Sequence, residues 1–210
     1  MHILLLGAGN MGSALARRFS SAGHDVRIAA TSLDKARSVA DSLTGVTAVA
    51  AEGSAAGADV IITATPFDQA IPALGTAGPL DGKVVIDITN PLTADYMGLT
   101  IGHHTSAAEE IAKAFPNAEI AKAFNTLFAQ VIGEGTPFAG GQVAPTFVAS
   151  DSGRAKATAA TLAESIGFDV IDAGPLKNAR YLEPLAGLNI YLGYGAGQGT
   201  GIAPTWLHRD

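Results

Sequence analysis

Cysteine is absent from this 210-residue sequence, which excludes disulfides, thiolate metal centres and cysteine nucleophiles. Charge is sparse as well. Only 15% of residues are charged, acidic residues outnumber basic ones to give a formal charge of −6, and no Lys/Arg run occurs, which argues against nucleic acid or an anionic membrane as partner. No apolar run approaches the ~18 residues that span a bilayer. Residues 2–6 already read as a core strand, so the expectation is no signal peptide and a cytoplasmic protein. What is abundant is apolar residues, 48% of the chain, and glycine, with 25 positions. That balance fits an α/β protein with many tight strand-to-helix turns, expected as a single domain over 1–210 with a helical, glycine-rich extension over about 178–210.

The sharpest local signal is His-Ile-Leu-Leu-Leu-Gly-Ala-Gly-Asn-Met-Gly at residues 2–12. An apolar strand runs into Gly7-x-Gly9-x-x-Gly12 and then into a helix, the context in which such a turn cradles a dinucleotide. Gly7 permits the sharp exit, Gly9 leaves the backbone open to a pyrophosphate, and Gly12 lets the helix pack close to the sheet. The N–H groups of Gly9, Asn10 and Met11 would then face the phosphates at the positive end of the helix dipole.

Beyond this turn, apolar runs predict strands at 25–29, 58–64, 82–88, 119–123, 146–149 and 169–172. Helical patterns fall between them at about 33–43, 67–74, 107–115, 154–166 and 179–192. Strands alternating with helices predict a doubly wound, mainly parallel Rossmann-like sheet. The glycines at 193, 195, 197, 199 and 201 follow no strand and read as a mobile loop.

NAD-binding folds normally close the second strand with a carboxylate that holds the adenine ribose. Here Ala29-Ala30-Thr31-Ser32 stands there, with Lys35 and Arg37 close behind. Two hydroxyls at a helix start can donate to a 2′-phosphate that a carboxylate would repel, which points to NADP(H). Thr31-Ser32-Leu33-Asp34 also fits a capping box, and the two readings are compatible.

Further landmarks are Gly23-His24-Asp25, Thr65-Pro66, Asn90-Pro91-Leu92, Thr105 to Glu110, Lys122-Ala123-Phe124-Asn125-Thr126, Asp172-Ala173-Gly174-Pro175-Leu176, Ala179-Arg180 and Leu182-Glu183. In this order they resemble, essentially end to end, the NADPH:coenzyme F420 oxidoreductase family, whose fold is also similar to the reductase domain of the STEAP metalloreductases. The resemblance implies NADP(H) bound by Gly7, Gly9, Asn10, Met11, Gly12, Thr31, Ser32, Lys35, Thr65, Pro66 and Asn90. It also implies a deazaflavin or flavin acceptor beside Asn125, Thr126 and Leu127 and near Gly174, Pro175 and Leu176. The chain departs from the family where members often carry Ser-Arg or Arg-Arg at 31–32, and where some carry histidine at 125.

No tyrosine precedes a lysine by four residues, so the short-chain-dehydrogenase dyad is missing. Hydride exchange between stacked rings needs no side-chain acid or base, because the cofactors carry the electronics. No catalytic side chain and no metal ligand set is therefore expected. His103 and His104 read as loop residues, Asp87 and Asp172 as capping or turn residues, and Arg180 with Glu183 as an ion pair along one helix. Tyr181, Tyr191, Tyr194 and Trp206 on an apolar C-terminal helix and tail suggest a homodimer. Two function classes remain: an NADP(H)-dependent oxidoreductase acting on a small redox acceptor (F420, a flavin such as FMN, a quinone, a ferric or other metal chelate, or an imine), or an NADP(H) sensor without turnover. An open cleft at 125–128 and 174–176 favours the first, and one filled by side chains favours the second.

Overall fold

The computed structural model describes residues 1–135, 138–206 and 209. One eight-stranded sheet organises them, in the order β3-β2-β1-β4-β5-β6-β7-β8. The strands are β1 (His2–Leu6), β2 (Asp25–Ala29), β3 (Val46–Ala48), β4 (Val60–Thr63), β5 (Val84–Asp87), β6 (Glu119–Lys122), β7 (Pro145–Ser150) and β8 (Asp169–Gly174). Neighbours pair in parallel except β6 and β7. The helices are α1 (Asn10–Ser21), α2 (Leu33–Ala40), α3 (Phe67–Ala77), α4 (Ala107–Ala114), α5 (Ala129–Glu134), α6 (Gly153–Ser165) and α7 (Ala179–Ile190).

The continuous apolar runs of the central strands reflect burial on both faces. Ile3, Leu5, Ile62 and Ile86 point to the side covered by α1, α2, α5 and α6, where Leu15 and Phe19 complete the packing. Leu4, Leu6, Ile61 and Val85 point to the side covered by α3 and α4, against Leu74 and Ile111. Phe147, Ala149 and Leu182 form a smaller cluster between β7 and α7.

The sheet is mainly parallel, as expected, with one reversal between β6 and β7: α5 has only six residues and packs on α1, too short to carry the chain back across the sheet. β7 therefore starts near the carboxyl ends of the preceding strands and runs in the reverse direction. β3 and α5 are absent from the sequence expectation, since a three-residue strand with Thr47 exposed and a six-residue helix containing Gly133 leave almost no periodic pattern. Finally, the glycine-rich stretch is not an open loop. Tyr191–Gly195 continues α7 as a π-helical turn, and the N–H groups of Gln198 and Gly199 donate back to Leu192 and Gly193. A Cβ on Gly193 would sit 2.7 Å from the Phe128 ring and one on Gly195 2.8 Å from Tyr191, so these glycines serve close packing.

Candidate functional site

A cavity of about 570 Å³ opens at the carboxyl ends of β1, β2 and β4, where the strand order reverses between β1 and β4 and doubly wound sheets hold dinucleotides. Six of the expected cofactor residues line it: Gly7, Gly9, Thr31, Lys35, Thr65 and Pro66. The three fingerprint glycines are glycine for different reasons. A Cβ on Gly7, whose φ is +120°, would lie 2.3 Å from the Ala64 carbonyl oxygen, and one on Gly12 would lie 2.0 Å from the Gly7 carbonyl oxygen. Gly9 differs, because its Cβ would meet no protein atom within 4 Å. Nothing in the protein's own packing requires glycine there, whereas a phosphate approaching the backbone does.

Gly9 caps α1 without any side-chain hydrogen bond, and the first turn carries no acid, so Asn10 and Met11 begin a helix whose positive end faces the cavity mouth. Thr65 Oγ1 is buried without a partner. Lys35 is the cation on the lining, which contains no carboxylate. These residues fit an NADP-type dinucleotide. Ser32 sits beside the cavity as the N-cap of α2, its Oγ accepting from the Lys35 N–H at 3.3 Å, so Ser32 and not Thr31 does the capping. Sequence reasoning missed Gln69, Pro72, Ala73 and Thr76, which form the wall from α3. Their i, i+3, i+4, i+7 spacing marks one helix face and was the available signal.

Asn90 lies outside this cavity, at the end of β5, in an amide pair with Asn125. Asn90 Nδ2 donates to the Asn125 carbonyl at 2.9 Å, and Asn125 Nδ2 donates to Asn90 Oδ1 at 2.9 Å and to the Leu182 carbonyl at 3.1 Å. Thr126 is held from α7 by Asn189, whose Nδ2 donates to the Thr126 carbonyl at 3.0 Å. The buried Phe124 before this pair is left-handed, with φ +57°, a conformation costing of order 1–3 kcal/mol for a non-glycine residue.

The two halves of the expected acceptor pocket are not brought together. Asn125, Thr126, Leu127 and Phe128 are buried beneath α7 and α5 rather than lining an open cleft. Leu176 packs on the opposite face of the sheet, with Ile120 and Ile111, and its N–H donates to Asp151. Gly174 is bound through its N–H to Asp172, and Pro175 links the two. The reversed strand direction explains this: the chain leaving β8 heads away from the carboxyl edge of β1–β6.

Deepest in this region lies a cluster the sequence did not reveal. Lys122, fully buried at the end of β6, places Nζ 2.8 Å from Asp87 Oδ2, 2.8 Å from Glu183 Oε1 and 2.5 Å from the Thr89 carbonyl. Glu183 also accepts from the Ala107 and Ala108 N–H groups at the start of α4, and Asp87 accepts from the Thr89 N–H. Burial alone would lower the lysine, but the two carboxylates outweigh it and hold Lys122 above its ordinary range. Burial pushes the Glu183 carboxyl up, against the pull of Lys122. Glu183 is thus not the partner of Arg180, which instead forks onto Glu109 at 2.6 and 2.8 Å and holds that carboxyl below its ordinary range. Asp172 lies inside β8 beside its register shift and not in a turn, its carboxylate accepting from the Gly174 N–H and from Lys156, and Asp87 combines a turn bond to Thr89 with the buried ion pair. His103 and His104 are exposed in the β5–α4 connection, outside the cavity.

Known proteins resemble this chain in sequence and fold. A family profile described as "NADP oxidoreductase coenzyme F420-dependent" matches residues 2–91. The F420-dependent NADP reductase of Methanothermobacter marburgensis is 33% identical over 205 residues, 90% of each chain. A crystal structure from Arthrobacter sp. FB24, described only as that of a candidate F420-dependent NADP reductase, superposes with a TM-score of 0.89 at 31% identity, covering 99% of this chain and all of that one. The metalloreductase STEAP3 of Rattus norvegicus is 28% identical over 181 residues, 86% of this chain, which spans only 35% of that longer protein. With its glycine cradle, carboxylate-free cleft and near full-length match, the chain belongs to the F420-dependent NADP reductase family.

Proposed function

We propose that the chain is an NADP(H)-dependent oxidoreductase that passes hydride directly between NADPH and a planar deazaflavin acceptor of the F420 type. The observation that carries the cofactor half is Gly9, whose missing side chain faces cavity space and not protein. Gly7, Gly9, Asn10 and Met11 would cradle the pyrophosphate, Thr31, Ser32 and Lys35 the 2′-phosphate, and Thr65 and Pro66 the chain beyond it. The acceptor half rests on the family and on the Asn90–Asn125 pair just beyond the carboxyl ends of β5 and β6. Gly174, Pro175 and Leu176 have no part in this reading.

When bound, NADPH supplies the hydride. The protein's residues supply orientation: N–H donors at the start of α1 hold the phosphates, and the β5 and β6 ends fix the position of the reacting ring. No side-chain acid or base is assigned. Residues 178–210 act as an extension of one domain. A second copy covers Tyr181, Leu188, Tyr191, Tyr194 and Trp206, all more than half exposed, to give a homodimer. A cytoplasmic location goes with this reading, and among the described residues no helix is long and apolar enough to cross a membrane.

The burial of Asn125–Phe128 favours a second reading, an NADP(H) sensor without turnover, by the criterion of a filled cleft. NADPH oxidation against F420, FMN, riboflavin, ferric chelates and quinones separates the two. Turnover with F420 above the others supports the oxidoreductase; tight NADPH binding with no acceptor reduced supports the sensor.

A further inference from the structure

The fully buried cluster of Asp87, Lys122 and Glu183 lies outside the lining of the dinucleotide cavity, yet each member adjoins a residue that holds the Asn90–Asn125 amide pair. Lys122 binds the carbonyl of Thr89, the residue before Asn90, and Asp87 binds the N–H of the same Thr89. Lys122 itself lies three residues before Asn125 on the same strand end. Glu183 follows Leu182, whose carbonyl accepts from Asn125 Nδ2. Three elements meet at the pair, and one lysine joins all three.

We propose that Lys122, Glu183 and Asp87 are positioning residues that set the Asn90–Asn125 pair for turnover and are not needed to hold the fold together. The proposal rests on the functional reading above only in placing that pair at the reacting end of the crevice. Stability is a weak reason for such a cluster, because desolvating three charges offsets most of their attraction and well-packed neutral replacements often do as well. Geometry is a better one. Asn125 commits both side-chain N–H bonds to acceptors on other elements, Asn90 beyond β5 and Leu182 on α7, while Asn125 Oδ1 and Thr126 Oγ1 are buried without partners, so its amide is held only as firmly as those two elements are. The ion cluster supplies that firmness, holding the β5 end, the β6 end and α7 at fixed separations.

The test uses two variants of the full chain, Glu183→Gln and the shape-matched neutral triple Asp87→Asn/Lys122→Met/Glu183→Gln. Both should fold with an unfolding transition like the parent's and bind NADPH within about twofold of it. kcat for F420 reduction should fall about 10- to 100-fold in the triple, the scale of a small misplacement of reacting groups, with KM for NADPH unchanged, and Glu183→Gln should fall in the same direction. The side-chain amide protons of Asn125, followed by NMR in the NADPH complex, should exchange faster in both. Folded variants with parental kcat and parental Asn125 exchange would overturn the proposal. So would failure of both to fold, which would assign the cluster to stability. If the parent chain itself does not reduce F420, that result counts against the functional reading, and Asn125 exchange still decides the positioning role.

Discussion

Gly9→Ala separates binding from folding more cleanly than any other substitution in the fingerprint. Residue 9 has φ −85° and ψ −170°, which alanine adopts freely, and its Cβ would meet no protein atom within 4 Å. Replacing glycine at such a position leaves stability unchanged or raises it by about 0.4–1 kcal/mol through the unfolded chain. The same methyl stands where a pyrophosphate must approach the backbone. Losing one charge-assisted N–H bond there costs about 1.5–3 kcal/mol, or roughly 10- to 150-fold in NADPH affinity at 1.4 kcal/mol per tenfold. Gly12→Ala is the counterpart. Its Cβ would lie 2.0 Å from the Gly7 carbonyl oxygen, so overpacking should cost at least ~1–3 kcal/mol of stability. Urea unfolding and NADPH titration, run on both variants, decide the matter. A Gly9→Ala protein that binds NADPH like the parent, or that loses stability as Gly12→Ala does, would refute the reasoning.

Thr31→Asp should weaken NADPH by at least ~1 kcal/mol while sparing NADH, and calorimetric titration that finds equal losses for both would remove the 2′-phosphate assignment. Lys35→Met should also narrow the NADPH preference, with the loss shrinking as salt is raised. Arg180 lowers the Glu109 carboxyl, so its pairing stabilises the fold above the ordinary glutamate range and is lost as pH falls through the depressed value. Arg180→Ala should therefore be less stable than the parent near pH 7, and the two should converge in acid, as denaturation at a series of pH values would show. His103→Ala and His104→Ala should keep turnover within about tenfold of the parent, well short of the 10²–10⁴ of a general acid or base. Light scattering should find a dimer, and a concentration-independent monomer would reject the covered C-terminal face.

What could be read from the sequence was local. The β1-turn-α1 unit was legible because Gly7, Gly9 and Gly12 act within six residues of one another, and the central strands because burial on both faces leaves unbroken apolar runs. Pairings across the fold were not legible. Arg180 and Glu183 sit at helical spacing, yet Arg180 finds Glu109 71 residues away and Glu183 finds Lys122 and the start of α4. Lys122 resembled any residue at a strand end; only the pairing of β5 with β6 and the packing of α7 give it two carboxylates. The misplacement of Gly174, Pro175 and Leu176 has a similar origin. The direction of β8 depends on the reversal at β7, which follows from the shortness of α5, and nothing near residue 174 reports it.

The central claim is that hydride moves directly from NADPH to a deazaflavin bound by this chain. Supplying NADPH with deuterium on the transferring face of the nicotinamide C4, together with F420, tests it most directly. The account predicts that NADPH and F420 are consumed in equal amounts and that the deuterium is retained in the reduced F420. Loss of the label to water, or NADPH that stays bound and unoxidised in the presence of F420, would contradict it.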